Sequence, residues 1–471
     1  MRARGRDGGR AGRREGAKTL WTAADDLDAQ MLAYTVGDDR EWDRRLLRWD
    51  LLGSLGHLEA LRGGRIVADA EYRRLRRALR SALRAAGAGE LTIGPQHEDV
   101  HSAVEFWLTE RFGRAGEQIH TGRSRNDQVA VDLRLFMKHE VLALHQRAAE
   151  TAQVLLDFAR RHRDVLWPGY THQRSAMPSS AGLWAAAYAE GLLDTLDSVS
   201  GFWPQLNRSP LGSAAGYGVP LPLARERAAR ALGFAGLDQM VTSVQNARGK
   251  LEAAVLFWCT QLAHDVAKLS ADVILFSAEE FGWLLLPQAL ATGSSIMPQK
   301  RNPDLFELTR ARAASIEGAL AETLALRAKL TGGYHRDFQL LKAPLGRGLG
   351  FTGEMLAMIT SAVPRLEVDR ARGLAALQGG VLATDEVMRR VQRGEAFRSA
   401  YREVAMGVRR GEVIPARSPK AIMSARTSTG AMGNLGLGQL TQRLRAVTRW
   451  QATERRRFDA ALKRLERGGR R

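Results

Sequence analysis

The sequence predicts an all-α protein organised around a bundle of long helices. Three apolar stripes and a scarcity of strand signals carry that reading. From Leu251, the positions Val255, Trp258, Leu262, Val266, Leu269, Val273 and Phe276 advance by threes and fours. Such spacing keeps one face apolar over many turns. A second run starts after Asn126, with Leu133, Met137, Leu144, Ala148, Leu155 and Phe158. A third follows Pro303, through Leu305, Leu308, Ile316, Leu320, Thr323 and Leu330. At 1.5 Å per residue these helices each reach about 40 Å, and helices of that length pack best side by side.

Taken in order, residues 1–18 are rich in Arg and Gly and lack both an apolar segment and an amphipathic face. They read as a disordered basic tail rather than a secretory signal. Residues 19–124 read as an N-terminal helical domain and 125–373 as the central long-helix domain. Around Gly373 to Thr384 the composition changes, and 374–471 reads as a small C-terminal helical domain. A chain of 471 residues exceeds what one hydrophobic core usually holds, so two or three domains are expected. Three turn-rich segments, 167–180, 209–222 and 334–350, interrupt the helices. Loops this long inside a helical protein are usually functional or disordered, and their fixed polar and aromatic residues favour function. No internal repeat is visible.

An apolar fraction of 45% with 26% charged residues describes an ordinary globular protein. Residues 251–262 come nearest to an apolar run, and Glu252, Thr260 and Gln261 interrupt them well short of a membrane span. The net charge of +19 invites a nucleic-acid reading. The excess is nearly all arginine scattered among acids, however, and no nucleic-acid motif accompanies it. A coding bias toward arginine explains it, and the charge suits acidic metabolites. Cys259 is the only cysteine, which excludes a disulfide framework and a thiolate metal cluster. Its apolar neighbours make it a buried small hydrophobe. A cytoplasmic location is expected.

Four segments concentrate chemistry. Residues 293–304 read Gly-Ser-Ser-Ile-Met-Pro-Gln-Lys-Arg-Asn-Pro-Asp. Backbone amides, two hydroxyls and one ammonium in a short loop can close over an anion, as an active-site lid does. Asn302 is expected to cap the next helix, with Pro303 in its first turn and Asp304 complementing the helix dipole. Ser294 or Ser295 is a general base only where its alkoxide is strongly stabilised, each pKa unit needing about 1.36 kcal/mol. Lys300, loop amides and the helix terminus are the sources at hand. Residues 121–127, Thr-Gly-Arg-Ser-Arg-Asn-Asp, suit a carboxylate or phosphate through the arginine forks. They equally suit a helix start capped by Ser124, Asn126 or Asp127. His172, in a loop bounded by Pro and Gly, is better placed to exchange protons than a helix-face histidine. Tyr334, Gln339 and Lys342 together can bind one polar ligand. Metal motifs are absent; His97 and His101 sit four apart but match nothing elsewhere.

Together these segments resemble the fumarase/aspartase superfamily and, within it, the argininosuccinate lyase family. Residues 293–302 resemble the superfamily signature Gly-Ser-Ser-x-Met-Pro-x-Lys-x-Asn. Residues 121–128 are similar to the segment that separates argininosuccinate lyases from fumarases and aspartases, and 169–173, 209–218 and 334–342 match in order and spacing. The resemblance runs from about Leu20 to the last helices. It implies an all-α, three-domain, fumarase/aspartase-like subunit. Its long central helices would meet those of three other subunits in a tetrameric core, with active sites shared between subunits. It implies reversible cleavage of argininosuccinate to arginine and fumarate without metal or organic cofactor, and argininosuccinate as the small-molecule partner. Ser294 would be the general base, His172 the general acid, Glu307 the carboxylate that orients His172, and Lys300 a stabiliser of developing charge. Asn126, Thr171, Asn302, Tyr334, Gln339 and Lys342 would contact substrate, with Ser124 and Arg125 beside them. One departure stands out. The family's N-terminal Leu-Trp-Gly-Gly-Arg-Phe and Asn-Ala-Ser segments are replaced by Leu20-Trp21-Thr22-Ala23-Ala24 and by 34–40, Tyr-Thr-Val-Gly-Asp-Asp-Arg. The serine contact is missing, and Gly37 or Arg40 is the expected substitute.

Overall fold

A computed structural model of the chain describes residues 29–467. The tail 1–18 and the 20–24 segment lie outside those residues. The architecture is α-helical, as expected. In chain order we label helices α1 (Ala29–Val36), α2 (Asp39–Gly63), α3 (Asp69–Gly87), α4 (Val100–Phe112), α5 (Arg125–Arg161), α6 (Ala181–Asp197), α7 (Lys250–Ser277), α8 (Asp304–Arg327), α9 (Lys342–Ala362), α10 (Ala383–Gln392), α11 (Phe397–Arg409) and α12 (Leu437–Arg467). Helices α5, α7, α8 and α9 pack lengthwise at the centre. Helices α2, α6 and α12 lie against α5.

The stripes on α5 and α7 bury as the periodicity predicts. Val255, Leu262 and Val273 are at most 1% exposed, and so are Ala148, Leu155 and Phe158. Each such side chain removed from water contributes about 1.5–3 kcal/mol, which outweighs the intrinsic propensity of any one turn. The α5 helix is longer than expected, at 37 residues. The third stripe holds only in part. Ile316 and Thr323 are buried, but Leu308 is 63% exposed, and Leu330 lies beyond the end of α8 at Arg327. Leu324 on α8 and Phe257 on α7 also face outward, so this part of the bundle carries apolar side chains on both sides.

Two irregular segments prove regular. Residues 167–180 lie within an antiparallel hairpin of β1 (Leu166–Thr171) and β2 (Arg174–Ser180). Pro168 and Pro178 hid the strand signal, although a two-stranded hairpin leaves outward N–H positions a proline can occupy. Residues 342–350 continue as the first turns of α9, following a 3₁₀ turn at Arg336–Leu341. Pro344, Gly346 and Gly348 hid that helix. The glycines serve close packing: a Cβ at Gly346 would lie 2.0 Å from a Trp42 ring carbon, and one at Gly348 would lie 2.3 Å from Leu256.

Most buried apolar residues form one continuous core. Near the hairpin, Leu166, Leu377, Val381, Leu382, Ile422 and Met432 form a second, small core. Between α10 and α11, Val387, Ala400 and Val404 form a third. Helix α12 returns to the main core through Leu444, Val447, Phe458 and Leu462. Cys259 is fully buried, in the role its neighbours predict. Among the described residues no helix is long and apolar enough to cross a membrane.

Candidate functional site

A cavity of about 190 Å³ opens where α2, α4 and α5 meet the 334–342 segment. It is lined by Val36, Asp39, Glu98, Asp99, His101, Arg125, Asn126, Val129, Arg248, Tyr334, Arg336, Phe338, Gln339 and Lys342. Five predicted residues therefore converge here: Arg125, Asn126, Tyr334, Gln339 and Lys342. The 121–127 motif builds one wall because it starts α5. Ser124 caps that helix, its Oγ accepting from the Asn126 amide at 3.2 Å, while the Ser124 amide donates to Asp127 Oδ1 at 3.0 Å. The Ser124 hydroxyl thus serves the helix terminus. Asp127 Oδ2 also accepts from the amides of Gly212 and Ala214, each at 3.0 Å. One buried carboxylate therefore joins the 209–222 loop to the start of α5. Asp127→Ala would strand three amides, two of them buried, and a loss of about 3 kcal/mol is expected in denaturant unfolding.

Charge pairs dominate the cavity. Arg125 Nη1 donates to Glu98 at 3.0 Å and to Asp99 at 2.6 Å. At the floor, Lys342 Nζ lies 2.8 Å from Asp39 and 2.5 Å from Asp43. Burial works against its charge, but the Asp43 and Asp39 carboxylates outweigh burial and hold Lys342 above its ordinary pKa. Burial, opposed by Lys342 and reinforced by Asp43, lifts Asp39 to about 6. Gln339 donates to the carbonyls of Thr35 at 3.0 Å and Val36 at 3.2 Å, so it ties α1 to the cavity. The expected substitutes for the missing serine contact do not line it. Arg40 instead donates to the His97 carbonyl at 2.6 Å, and Gly37, at φ 51°, makes the turn between α1 and α2. Val36 and Asp39 are the residues of 34–40 that reach the cavity.

The lid forms a separate feature. Strands β3 (Thr292–Gly293) and β4 (Arg301–Asn302) pair antiparallel, so residues 294–300 form the loop of a short hairpin. Ser294 Oγ accepts from the amides of Ile296 at 3.3 Å and Met297 at 3.1 Å. The expected cap is corrected here. Pro303, not Asn302, occupies the cap position of α8 and makes no side-chain cap bond. Asn302 is held in β4, and its Nδ2 donates across the hairpin to the Gly293 carbonyl at 3.3 Å. Asp304 and Glu307 do lie in the first helical turn, Asp304 bonded to Thr292. Lys300 is exposed, and a broad cleft beside the lid is lined by Lys300, Asn302, Asp304 and Glu307.

The hairpin turn carries the third feature. Thr171 pairs with Arg174, leaving His172 and Gln173 as a two-residue loop with φ 53° and 57°. Two successive positive φ values define the turn whose twist suits a hairpin, yet neither residue is glycine or asparagine. Each such residue costs about 1–2 kcal/mol, so the fold holds His172 exposed in a strained backbone. Strain of this kind gathers at functional sites. Gln173→Gly is expected to stabilise the chain by about 1 kcal/mol in thermal or denaturant unfolding. Among the described residues no hydrogen bond joins His172 to Glu307. Within one chain the predicted set therefore falls into three places: the cavity, the hairpin turn and the lid.

Comparison with known proteins decides the family. A lyase family profile matches residues 59–318. The argininosuccinate lyase of Sorangium cellulosum is 43% identical over 425 residues, covering 90% of this chain and 98% of that protein. That of Parabacteroides distasonis is 39% identical, covering 92% and 96%. The chain belongs to the argininosuccinate lyase family. Solved structures agree on the fold of this lyase. An EDDS lyase in complex with formate aligns with TM-score 0.78 at 22% identity, covering 93% of this chain and 95% of that one. The class II fumarase of Schistosoma mansoni aligns at 0.67 and 16%, covering 84% and 95%.

In this lyase the cavity also uses residues that the motifs did not reveal. Asp39, Glu98, Asp99, His101, Arg248 and Arg336 line it. Glu98 and Asp99 carried a signal, because Asp99 caps α4 with Ser102 in a reciprocal capping box. Arg248 had none; it precedes a left-handed Gly249 and is only 5% exposed. His97 and His101 do not form a ligand pair. The His97 ring accepts from the Gly94 amide at 3.0 Å, whereas His101 bonds Asp50. One group of three potential metal ligands exists among the described residues, Asp50, His101 and Asp132.

Proposed function

We propose that this chain cleaves argininosuccinate reversibly to arginine and fumarate, and that it does so in the cytoplasm as a homotetramer. The observation that carries the reading is 43% identity to an argininosuccinate lyase across 90% of the chain. Incubation of the purified protein with argininosuccinate, following fumarate absorbance, tests it. Absence of signal, with turnover of adenylosuccinate or malate, would assign another superfamily reaction instead.

In this mechanism Ser294 removes the proton from the carbon beside a succinyl carboxylate, and the resulting carbanion spreads charge into that carboxylate. The two amides on Ser294 Oγ support an alkoxide there. Lys300 and Asn302 oppose the developing double negative charge. His172, charged and oriented by Glu307, protonates the departing guanidino nitrogen. Thr171, Asn126, Tyr334, Gln339 and Lys342 hold the substrate, with Ser124 and Arg125 shaping the wall beside them.

The separation of turn, lid and cavity within one chain supports sites completed by neighbouring subunits. So do the outward-facing Phe257, Leu308, Leu324 and Met358 on the central helices, since exposed apolar side chains grouped on long helices mark association surfaces. Light scattering at micromolar concentration is expected to give a tetramer. We read the three units 19–124, 125–373 and 374–471 as domains, the small cores around Val381 and Val404 supporting the last.

A further inference from the structure

Beneath the cavity lies a buried pair that the mechanism above does not use. His101, on α4, lines the cavity. Its Nδ1 lies 2.7 Å from Asp50 Oδ1 and 3.9 Å from Asp132 Oδ2. His101 is 7% exposed, and Asp50 and Asp132 are at most 1%. With Nδ1 engaged by Asp50, Nε2 is the ring nitrogen left for a ligand. A shared metal ion fits poorly. Two ligands of one tetrahedral ion at about 2.1 Å lie about 3.4 Å apart, whereas 2.7 Å is the length of a charged hydrogen bond.

We propose that His101, backed by Asp50, is a carboxylate-binding residue of this cavity, presenting Nε2–H to an acidic group of the substrate. The proposal rests on the reading that the cavity belongs to the active site, and it names a contact that the sequence motifs do not assign. The cavity already holds acids, Asp39, Glu98 and Asp99, each matched by Lys342, Arg336 or Arg125. A polycarboxylate therefore needs further donors. Arg248 supplies one direction, its Nη1 buried without a hydrogen-bond partner among the described residues. His101 supplies another.

The surroundings favour the protonated ring. Around His101 stand Asp43 and Asp50 from α2 and Asp99 at the start of α4, Asp132 from α5 and His120, with Arg123 and Arg125 acting on His120 and Arg123 and Lys342 on Asp132. Burial disfavours the imidazolium, but Asp50, then Asp99 and Asp43, outweigh burial and raise the His101 pKa. Burial, reinforced by Asp50 and Asp43, pushes the Asp132 carboxyl well above its ordinary range. Burial and Arg123 lower His120 to about 4, so it stays neutral near neutrality. A raised folded pKa leaves the cation present below the ordinary histidine value of about 6.5 and lost as pH climbs through the folded value.

The test is titration calorimetry of the full-length protein with fumarate, which stays doubly ionised over about pH 6 to 9. Wild-type affinity is expected to fall with a midpoint above about 6.5. Asp50→Asn is expected to move that midpoint down. His101→Asn is expected to weaken binding at least about tenfold, the loss of one charge-assisted hydrogen bond, and to remove the midpoint above about 6.5, leaving only the step near 6 that belongs to Asp39. A flat wild-type profile, an unmoved midpoint in Asp50→Asn, or unchanged affinity in His101→Asn would each overturn the proposal. Should His101→Asn fail to fold, the wild-type and Asp50→Asn midpoints still decide it. Argininosuccinate turnover by the wild type separates the two readings. Turnover with pH-independent fumarate binding rejects His101 alone, whereas pH-dependent binding without turnover rejects the reaction alone.

Discussion

Ser294→Ala is expected to lower kcat at least ~10²-fold, the low end for losing general base catalysis, while fumarate binding changes little. Ser294 opens a seven-residue hairpin loop, and its Oγ already collects two backbone amides. Amides aimed at an oxygen stabilise it as an anion more than as a neutral hydroxyl, which is what a serine base requires. Alanine removes the oxygen and leaves the paired strands, Thr292 with Asn302 and Gly293 with Arg301, intact. A variant with near-normal kcat would reject Ser294 as the base. Equal loss of kcat from Ser295→Ala alone would move the role one residue along.

Lys342→Met is expected to be the most destabilising single change in the cavity, costing about 3–5 kcal/mol. Lys342 joins α9 to α2 through two carboxylates, and Asp43 is wholly buried. Asp43 also accepts from the Val100 amide at 2.9 Å, so α4 depends on the same group. Removing the ammonium leaves two acids that cannot both stay charged away from water. The penalty carries a pH sign. Lys342 holds Asp39 down at about 6, so without it the carboxylate takes up its proton at higher pH, and the stability gap from wild type should narrow as pH falls toward about 6. Denaturant unfolding at about pH 5 and pH 8 measures it. A gap below about 1 kcal/mol at pH 8, the scale of an exposed pair, would show that water reaches the cluster.

The legible parts of the sequence were those in which local chemistry and packing agree. Two stripes on α5 and α7 appear in the fold almost residue for residue, because a face that repeats every 3.6 residues has only one way to bury. The 121–127 motif was legible as a capped helix start, and the cavity wall it builds follows from where α5 begins. The hairpin at His172 was not legible, because its prolines mask strand signals and its turn uses residues poorly suited to positive φ. The start of α9 was hidden by glycines whose value lies in contacts with Trp42 and Leu256. Asn302 reads as a cap from its neighbours, yet strand pairing with Thr292 turns its amide elsewhere.

By itself, the sequence determined the helical class, the order of the polar segments and the chemistry each can offer, because periodicity and residue type are properties of short stretches. Only the tertiary structure decided which of those groups meet. It set Lys342 between Asp39 and Asp43, brought Arg248 and His101 to the same cavity as Asn126, and held the lid and the His172 turn apart from it. Those encounters join residues up to about 300 positions apart, and what fixes them is the packing of one long helix against another, to which no local pattern points.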